Sequence, residues 1–495
     1  MTRKHFISTA LLIALLAQLT ACGGAAETPA GDTTAAADTT AAITETERLT
    51  ADIPTGLDYK GYKFRVLARA TPMSWDNYDL VAESETGDLI NDAVFKRNLA
   101  LSEKLNVEFV RVGVEGYNVV GPATQSILAG SDEYDIIMPS ITDAANLAQQ
   151  DMLTPLQEMT YMDLDKPWYD QRCIDELEIC GKNYLFFSDI TVSNLDAIWI
   201  YVFNKNMIDD FKLTDPYELV ANGKWTMDKM TEMSKAVTVD LNGDSKMDKS
   251  DRWGMVAHDY VITASSVGAG ERIATADSKG NISLTMNNER IYDVIDSIVG
   301  LQDYWIRYSL TAKKYGDAPP VGFEPSDNYA ELLSVFTSGN ALFMGECMQA
   351  LSHMRDSNVD FGVLPSPKLD EKQDGYYAAV NFIAAAMCVP KTVTDFDRTS
   401  AIIEAWAAES HYTLMPAYYD ISTKSKFTRD TISADMLDMI LNARSYDLGI
   451  YYNWGQLSDR FCHLVYTGSD AFASLYDANK AAAQDALDKF VSEIK

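Results

Sequence analysis

The chain has 495 residues, of which 47% are hydrophobic and 11% aromatic, and its formal net charge at pH 7 is -31. A chain of this length exceeds one ordinary hydrophobic core, so two lobes or domains are expected. Such an acidic surface repels phosphate groups, which excludes nucleic acid as a partner and disfavours contact with anionic lipid headgroups.

The N-terminal residues have the pattern of a targeting signal. Arg3 and Lys4 precede an apolar run over 6–17, which is too short to span a bilayer and is typical of a signal peptide. The sequence then reads Leu-Thr-Ala-Cys at 19–22, which resembles the lipobox of bacterial lipoproteins. The resemblance implies a signal peptide over 1–21 and a lipid on Cys22. The alternative is an ordinary secretory signal with an incidental cysteine.

The segment after the signal is predicted to be a tether. Residues 24–50 consist mainly of Ala, Thr, Gly, Asp and Glu, a composition that cannot bury a core. The range 22–55 is therefore assigned to the lipid anchor and a flexible linker. No later stretch reaches about 18 uninterrupted apolar residues, so the lipid is the only membrane anchor expected. The protein is predicted to lie on the extracellular face of the cell membrane.

Five cysteines follow Cys22, an odd number that cannot be fully paired within the chain. Cys173 and Cys180 flank the segment 174–179. If that segment is helical, the two residues lie about 10 Å apart along the helix axis, beyond the reach of a disulfide. The cysteines are therefore interpreted as small buried hydrophobic residues rather than as a disulfide framework.

Strands and helices alternate from residue 63 onward. "KFRVLARA" (63–70) has the alternation of a strand, and Asp88 is placed to cap a helix that precedes a second strand from Val107. A helix over 119–130 then precedes the apolar strand "YDIIMPS" (134–140). The alternation predicts an open α/β sheet with crossover connections, and such sheets bind ligands beyond the carboxyl ends of their strands.

The middle of the chain is predicted to cross between lobes and then to build the second one. Residues 185–211 form a long extended stretch suited to the crossing. Thr226 is placed to cap a helix with buried Met227, Met230 and Met233 on one face. A polar loop joins this helix to the strand "RWGMVAHDY" at 252–260.

The loop "DLNGDSKMDKSD" (240–251) alternates oxygen-bearing groups as calcium-binding loops do. Calcium takes about six to eight oxygen ligands, and a twelve-residue loop supplies them at positions 1, 3, 5, 7, 9 and 12. Ser245 replaces the usual glycine, and an aspartate replaces the usual final glutamate. The spacing predicts a structural Ca²⁺, with a solvated Asp/Asn turn as the alternative. The predicted ligands are Asp240, Asn242, Asp244, Lys246 through its carbonyl, Asp248 and Asp251.

Six short segments resemble one family in the order in which that family carries them. They are "DAVFKRN" (92–98), "YDIIMP" (134–139), "YVFNKNMIDDFKL" (201–213), "NGKWTMDKM" (222–230), "SGNALFMGE" (338–346) and "DFGVLPSPKLDEKQDGYY" (360–377). The chain is similar to the extracellular solute-binding lipoproteins of bacterial ABC importers, especially the carbohydrate-binding group. The likeness covers about residues 60–380, and each motif alone has low specificity.

The resemblance implies an α/β fold of two lobes joined by hinge strands, the type II periplasmic-binding-protein fold. It implies a monomeric receptor that closes on a carbohydrate, chiefly an oligosaccharide, and delivers it to an ABC transporter permease without turnover. Loops like 240–251 occur in this family, where the ion stabilises one lobe. The lobes are assigned as N-terminal lobe 56–190, C-terminal lobe 191–377, return to the N-terminal lobe 378–415, and a helical part completing the lobes 416–495.

Sugar binding requires aromatic planes against C–H faces and polar groups for hydroxyls. The residues chosen for this role lie in loops after predicted strands or near predicted hinges. For each of them, ordinary packing is the alternative. The predicted ligand-binding residues are Trp75, Asp76, Tyr78, Ser140, Thr142, Asp143, His258, Asp259, Tyr260, Glu346, Tyr376, Tyr377, Asn381, Tyr412 and Tyr418, with His411 and Tyr419 as further members of the tail segment.

Three other functions remain open from the sequence. A receptor for peptides or another polar solute would use similar tyrosines and carboxylates. A surface glycan-degrading lipoprotein could hide a catalytic carboxylate pair among the many acidic residues. A sensory partner of a membrane kinase would use the same fold. The sequence contains no H-E-x-x-H, G-x-S-x-G or phosphate-loop motif, which favours a binding protein over an enzyme.

Overall fold

The computed structural model describes most of the chain from residue 48 onward. The predicted signal peptide, the predicted lipidation site Cys22 and the predicted ligand residues Trp75, Asp76 and Tyr78 lie outside the described part. No described helix is both long enough and apolar enough to cross a bilayer. The described residues are 48–70, 79–116, 118–277, 280–310, 314, 319–325, 327–421 and 430–494.

The strands and helices alternate through most of the described chain. The strands are β1 Tyr62–Arg69, β2 Val107–Val114, β3 Ile136–Ile137, β4 Trp199–Asn204, β5 Trp253–His258, β6 Ala274–Ala276, β7 Ile282–Leu284, β8 Trp305–Tyr308, β9 Ala341–Cys347, β10 Phe361–Leu364, β11 Ala378–Ala379 and β12 Arg444–Ser445. The longer helices of the first half are α1 Leu89–Leu105, α2 Val120–Leu128, α3 Ile141–Gln149, α4 Gln171–Glu176, α5 Ser193–Asp196, α6 Lys205–Phe211, α7 Pro216–Ala221 and α8 Met227–Val237.

The remaining helices cover the second lobe and the tail. They are α9 Val261–Gly268, α10 Glu289–Leu301, α11 Tyr329–Thr337, α12 Ala350–His353, α13 Phe396–Tyr412, α14 Leu414–Ile421, α15 Thr431–Asn442, α16 Leu448–Tyr452, α17 Leu457–Tyr466 and α18 Phe472–Ile494. Short 3₁₀ turns lie at Leu156–Glu158, Gln302–Tyr304 and Trp454–Gln456.

The first lobe is built on a parallel sheet with strand order β2-β1-β3. Its first helix, α1, begins where the sequence predicts, because the Asp88 side chain accepts hydrogen bonds from the N–H groups of Ile90 and Asn91. Beyond the short β3, the chain continues as isolated bridges, with Ser140 opposite Ala385. The predicted strand over 134–140 is therefore shorter than expected.

The second lobe is built on a five-stranded mixed sheet with order β10-β4-β9-β5-β8. β5 runs parallel to both β8 and β9, whereas β4 is antiparallel to β9 and β10. Helix α8 begins with Thr226 as its cap, as predicted, and the loop 240–251 joins it to β5. The parallel strands β5, β8 and β9 therefore end at one edge of the sheet.

Two chain segments, 190–198 and 380–388, run side by side between the lobes. Ile198 pairs with Val380 in an antiparallel bridge. Next to it, the Asn381 N–H donates a hydrogen bond to the Ala197 carbonyl over 2.8 Å. The lobes are thus connected by hydrogen-bonded crossing segments.

The prediction of one long extended stretch over 185–211 is wrong. Helix α5 interrupts it before β4, and α6 follows β4 directly. Asn204 ends β4 and caps α6, because its side chain accepts the N–H of Met207. The polar cap overrides the extended pattern of the apolar residues before it.

One hydrophobic core extends through both lobes, and a second lies under the first sheet. Leu67 of the first lobe and Phe343 of the second belong to the same packed cluster. In the second core, Phe109 lies 4.5 Å from Trp406 of α13, measured between ring centroids. Ile53, inside the range assigned to the linker, packs against this second core.

The described cysteines all carry free thiols. Cys173, Cys347, Cys388 and Cys462 are buried, and Cys180 is half-buried. Burial raises the pKa of each of the four buried thiols. These side chains therefore pack as small hydrophobic groups.

Candidate functional site

The carboxyl ends of β5 and β9 bring an imidazole between two carboxylates. His258 Nε2 lies 3.7 Å from Glu346 Oε2, and His258 Nδ1 lies 3.8 Å from Asp259 Oδ1. All three side chains are buried. The sequence predicted these residues for the site, and the parallel strands place them together.

The imidazole and the carboxylates of this cluster interact electrostatically. Burial lowers the pKa of His258, but Asp259 and Glu346 outweigh this effect and raise it. Burial also raises the pKa of Glu346, with His258 opposing that rise. Within the described residues, Glu346 Oε2 has no hydrogen-bond partner. The cluster therefore offers a buried acceptor beside an imidazole.

Aromatic rings lie next to this cluster. The Tyr260 ring centroid is 4.4 Å from that of Phe382 and 5.9 Å from that of His258. Trp199, at the start of β4, packs 5.2 Å from His258 on another side. Because Phe382 belongs to a crossing segment, Tyr260 connects the second lobe to the hinge.

The N-terminus of α3 forms the wall of the site that belongs to the first lobe. Ser140 caps the helix, since its Oγ accepts the N–H of Asp143, and the two side chains also lie 2.8 Å apart. The Ile141 N–H donates to the Ala384 carbonyl over 3.0 Å, which fixes the helix to the crossing segment. Thr142 lines the same cavity as Tyr260 of the second lobe.

A cavity of about 330 Å³ lies between these walls. Most of its lining side chains are hydroxyls, amides or aromatic rings. The charged members, Lys314 and Asp459, form an ion pair with each other at 2.6 Å. The lining residues are Thr142, Asn146, Tyr260, Thr263, Lys314, Phe382, Ile450, Tyr452, Asn453, Gln456, Ser458 and Asp459.

Sequence reasoning missed the part of this lining that comes from the tail. Asn453, Gly455 and Gln456 all have positive φ, at 45°, 61° and 61°. A Cβ on Gly455 would lie 2.7 Å from the Ala483 backbone nitrogen, so the turn is packed tightly against α18. The Asn and Gly of "YYNWGQ" are the signal that could have marked this turn.

Several predicted ligand residues do not reach this cavity. The Tyr376 hydroxyl donates to the Val220 carbonyl, and the Tyr377 hydroxyl donates to Asp374. Asn381 donates to Cys347 Sγ over 3.2 Å.

The predicted tyrosines of the tail lie elsewhere. Tyr418 is buried and donates to Asp196. Tyr412 packs its ring 4.9 Å from His411. The structure therefore gathers Thr142 and Tyr260 at the cavity, with Ser140, Asp143, His258, Asp259 and Glu346 next to them.

The loop 240–251 is folded by its own acidic side chains. Asp240 accepts the N–H groups of Gly243 and Ser245 through its two oxygens, and Asn242 and Asp244 each accept one N–H two residues on. Ser245, which replaces the usual glycine, has φ 65°. The serine therefore adopts the left-handed conformation that the sharp turn requires.

The donor set of this loop fits calcium better than a transition metal. Among the described residues, no three His, Cys, Asp or Glu side chains form a metal-binding group. Calcium also accepts amide and backbone carbonyl oxygens, which Asn242 and Lys246 supply. Each carboxylate oxygen that accepts one N–H keeps a further lone pair. The hydrogen bonds of Ser250 lower the pKa of Asp248, which keeps that side chain anionic.

Two α/β sheets, adjacent crossing segments and a cavity beyond the strand ends define the class of two-lobed binding-protein folds. The predicted type II periplasmic-binding-protein fold is confirmed by solved structures. An ABC substrate-binding protein from Listeria monocytogenes, in complex with cycloalternan, gives a TM-score of 0.53 at 12% identity, covering 86% of this chain and 98% of that chain.

Two further structures show the same fold. A cyclic alpha-maltosyl-1,6-maltose binding protein from Arthrobacter globiformis gives a TM-score of 0.53 at 13% identity, covering 87% of this chain and all of that chain. A sugar transporter from Rhizobium etli in an open conformation gives 0.54 at 14% identity, covering 88% and 100%. Neither a protein-family model nor a curated protein matches the sequence.

Proposed function

We propose that this protein is an extracellular receptor that captures an oligosaccharide and delivers it to an ABC transporter permease. The observation that carries the proposal is the cavity between the lobes, with its hydroxyl, amide and aromatic lining. Hydroxyls and amides both donate and accept, as sugar hydroxyls do, and aromatic faces suit sugar C–H groups. The Listeria and Arthrobacter proteins of the same fold bind cyclic saccharides.

Ligand capture in this proposal uses closure and no chemical step. A ligand that touches Thr142 of one lobe and Tyr260 of the other binds the closed state better than the open state. Binding therefore shifts the population toward closure. The closed, monomeric receptor is the form that the permease receives.

A peptide receptor is the second candidate from the same fold. Peptide termini carry charges that need fixed partners in a cavity. The charged lining residues, Lys314 and Asp459, are already paired with each other. An uncharged saccharide is therefore the better fit.

Isothermal titration of the purified protein with oligosaccharides and with tripeptides tests the ligand class. We expect heat of binding with one oligosaccharide class only. Tyr260→Ala should weaken that binding about tenfold or more, because it removes the aromatic face next to Phe382.

Tyr377→Ala is the matched control for this experiment. Tyr377 is a predicted ligand residue that the structure places beside Asp374 and Arg272, away from the cavity lining. We expect unchanged affinity. Tripeptide binding without saccharide binding would show that the ligand is a peptide. Turnover of the saccharide would show that the protein is an enzyme rather than a receptor.

We further propose that a lipid on Cys22 anchors the receptor to the outer face of the cell membrane. The proposal rests on the signal-like residues 1–21, the Leu-Thr-Ala-Cys sequence and the composition of 24–50. A tether of this kind would hold the receptor near the permease.

We also propose that the loop 240–251 binds a structural Ca²⁺. The acidic and carbonyl oxygens of Asp240, Asn242, Asp244, Lys246, Asp248 and Asp251 would hold it. The ion would neutralise negative charge in the loop and fasten the connection between α8 and β5.

Calcium should raise the free energy of unfolding by about 2.7 kcal/mol at 100 times its dissociation constant. Thermal melting with calcium or with chelator measures the effect. Asp240→Ala should abolish the calcium response, whereas the exposed control Asp209→Ala should keep it. Equal melting temperatures in calcium and in chelator would identify the loop as an ordinary acidic turn.

A further inference from the structure

A second cavity, the hinge cavity, lies beside the first crossing segment. Its volume is about 150 Å³, and it shares no lining residue with the cavity between the lobes. A single water needs only about 10–15 Å³ of such space, so one small molecule or several waters fit. The lining residues are Pro167, Tyr169, Asp170, Ser188, Asp189, Thr191, Asn194, Leu195, His411, Met415, Tyr419 and Arg444.

The acidic and basic side chains that line the hinge cavity form two hydrogen-bonded pairs. His411 Nδ1 lies 2.5 Å from Asp189 Oδ2, and Arg444 Nε donates to Asp170 Oδ2 over 2.7 Å. Asn194 also donates to Asp170. An ionic ligand would have to displace one of these pairs, whereas an uncharged ligand leaves both in place.

Within the described part of the chain, some hydrogen-bonding atoms of the hinge cavity remain without a partner after these pairs have formed. Among the described residues, His411 Nε2 and Arg444 Nη2 form no hydrogen bond. The Asp189 carboxylate keeps further lone pairs for donors, whereas the Asp170 carboxylate already accepts five hydrogen bonds. The walls therefore combine donors and acceptors within one small space.

We infer that the hinge cavity is a second binding site, for an uncharged polyhydroxylated molecule no larger than a monosaccharide. Hydroxyl groups donate to the Asp189 carboxylate and accept from the Arg444 guanidinium at the same time. The volume of the hinge cavity is less than half that of the cavity between the lobes, which favours a single sugar over a chain of sugars. The ligand is therefore a small polyol or single sugar.

Occupancy of this site is coupled to the lobes. Among the lining residues, Asp189 belongs to the first lobe, and Thr191 and Asn194 belong to the first crossing segment. Arg444 belongs to β12, which pairs with β11 next to the second crossing segment. A hinge movement changes the spacing of these walls. By linkage, a small polyol and the ligand between the lobes change each other's affinity. This coupling rests on the proposed function, whereas the site itself does not.

Isothermal titration with D-glucose tests the site, with two variants that separate the cavities. We expect saturable binding that persists in Tyr260→Ala and weakens at least tenfold in His411→Phe. Met415→Trp, which narrows the hinge cavity without changing a charge, should also weaken it. Melting curves confirm that each variant folds.

Crystals soaked in D-glucose show which cavity is occupied. Electron density in the hinge cavity, together with the solution result, supports the inference. Binding that Tyr260→Ala removes and His411→Phe leaves intact would place glucose between the lobes and overturn it, while leaving the proposed function standing. Density without saturable binding in solution, meaning binding at crystal concentration only, also overturns it.

Discussion

Arg97→Met is expected to lower the free energy of unfolding by about 3 kcal/mol or more, because it leaves the buried carbonyls of Asp79 and Ile190 without their donor. Arg97 is fully buried on α1. Its guanidinium donates to the carbonyls of Asp79, Leu80 and Ile190 over 2.7–3.1 Å and to Ser410 Oγ over 3.2 Å. Methionine keeps much of the side-chain volume, so the loss reports mainly on hydrogen bonds.

These contacts explain why one side chain has so large an effect. They tie α1 to the segment after β1, to the start of the first crossing segment and to the end of α13. Arg97 also stacks over the Trp406 ring at 5.1 Å. The guanidinium fork is needed because its donors point in several directions, so Arg97→Lys should recover only part of the loss.

Chemical denaturation with urea measures the change. Lys96→Ala, one residue earlier on α1, is the control, since Lys96 is exposed and forms an ion pair with the exposed Glu85. We expect a change within about 0.5 kcal/mol for the control. An equally small change for Arg97→Met would mean that the buried carbonyls find other partners.

The second large effect concerns pH. Asp196→Asn is expected to flatten the dependence of stability on pH between about 4 and 7. Burial raises the pKa of Asp196 from 3.8 to about 7, although Tyr418 donates a hydrogen bond to its carboxylate. Asp79, another buried carboxyl with a raised pKa of about 6, adds to the rise.

The sign follows from the protons bound in each state. Between pH 3.8 and about 7 the folded Asp196 keeps a proton that the unfolded chain has lost. The native state therefore binds more protons, and stability decreases as pH rises through this window. Each pKa unit corresponds to about 1.4 kcal/mol. Asp196 keeps some solvent exposure, so we expect a contribution of about 2–4 kcal/mol.

Urea denaturation of the wild type and Asp196→Asn at pH 4.5, 6 and 8 measures this contribution. Asparagine can accept the Tyr418 hydroxyl as the protonated acid does, so the variant should gain stability relative to the wild type as pH rises. The exposed control Asp209→Asn should give parallel curves. If the Asp196 variant is also parallel to the wild type, Asp196 ionises in the folded state as easily as in the unfolded chain.

Much of the fold follows from local signals. The caps Asp88 and Thr226 act through side chains that accept N–H groups two or three residues away, so they can be read directly from sequence. His258 and Glu346 lie close together because they stand near the carboxyl ends of two parallel strands, which meet at the same edge of the sheet.

Other parts of the site depend on contacts that sequence does not reveal. Tyr418 lies near a predicted crossing, but its partner Asp196 is 222 positions away, and that contact buries the hydroxyl. The turn containing Asn453 reaches the cavity only because Gly455 packs against α18. Such placements depend on the assembled tertiary structure rather than on local pattern.

The free, mostly buried thiols make this molecule convenient for fluorescence work. Without disulfides among the described residues, the folded part can be produced in a reducing cytoplasm. Thiolates are the species that react with maleimide dyes, and burial disfavours them at four of the five described cysteines. Once the half-buried Cys180 is replaced by serine, a cysteine introduced on each lobe would take up dye selectively. Energy transfer between the two dyes would then report lobe closure in single molecules.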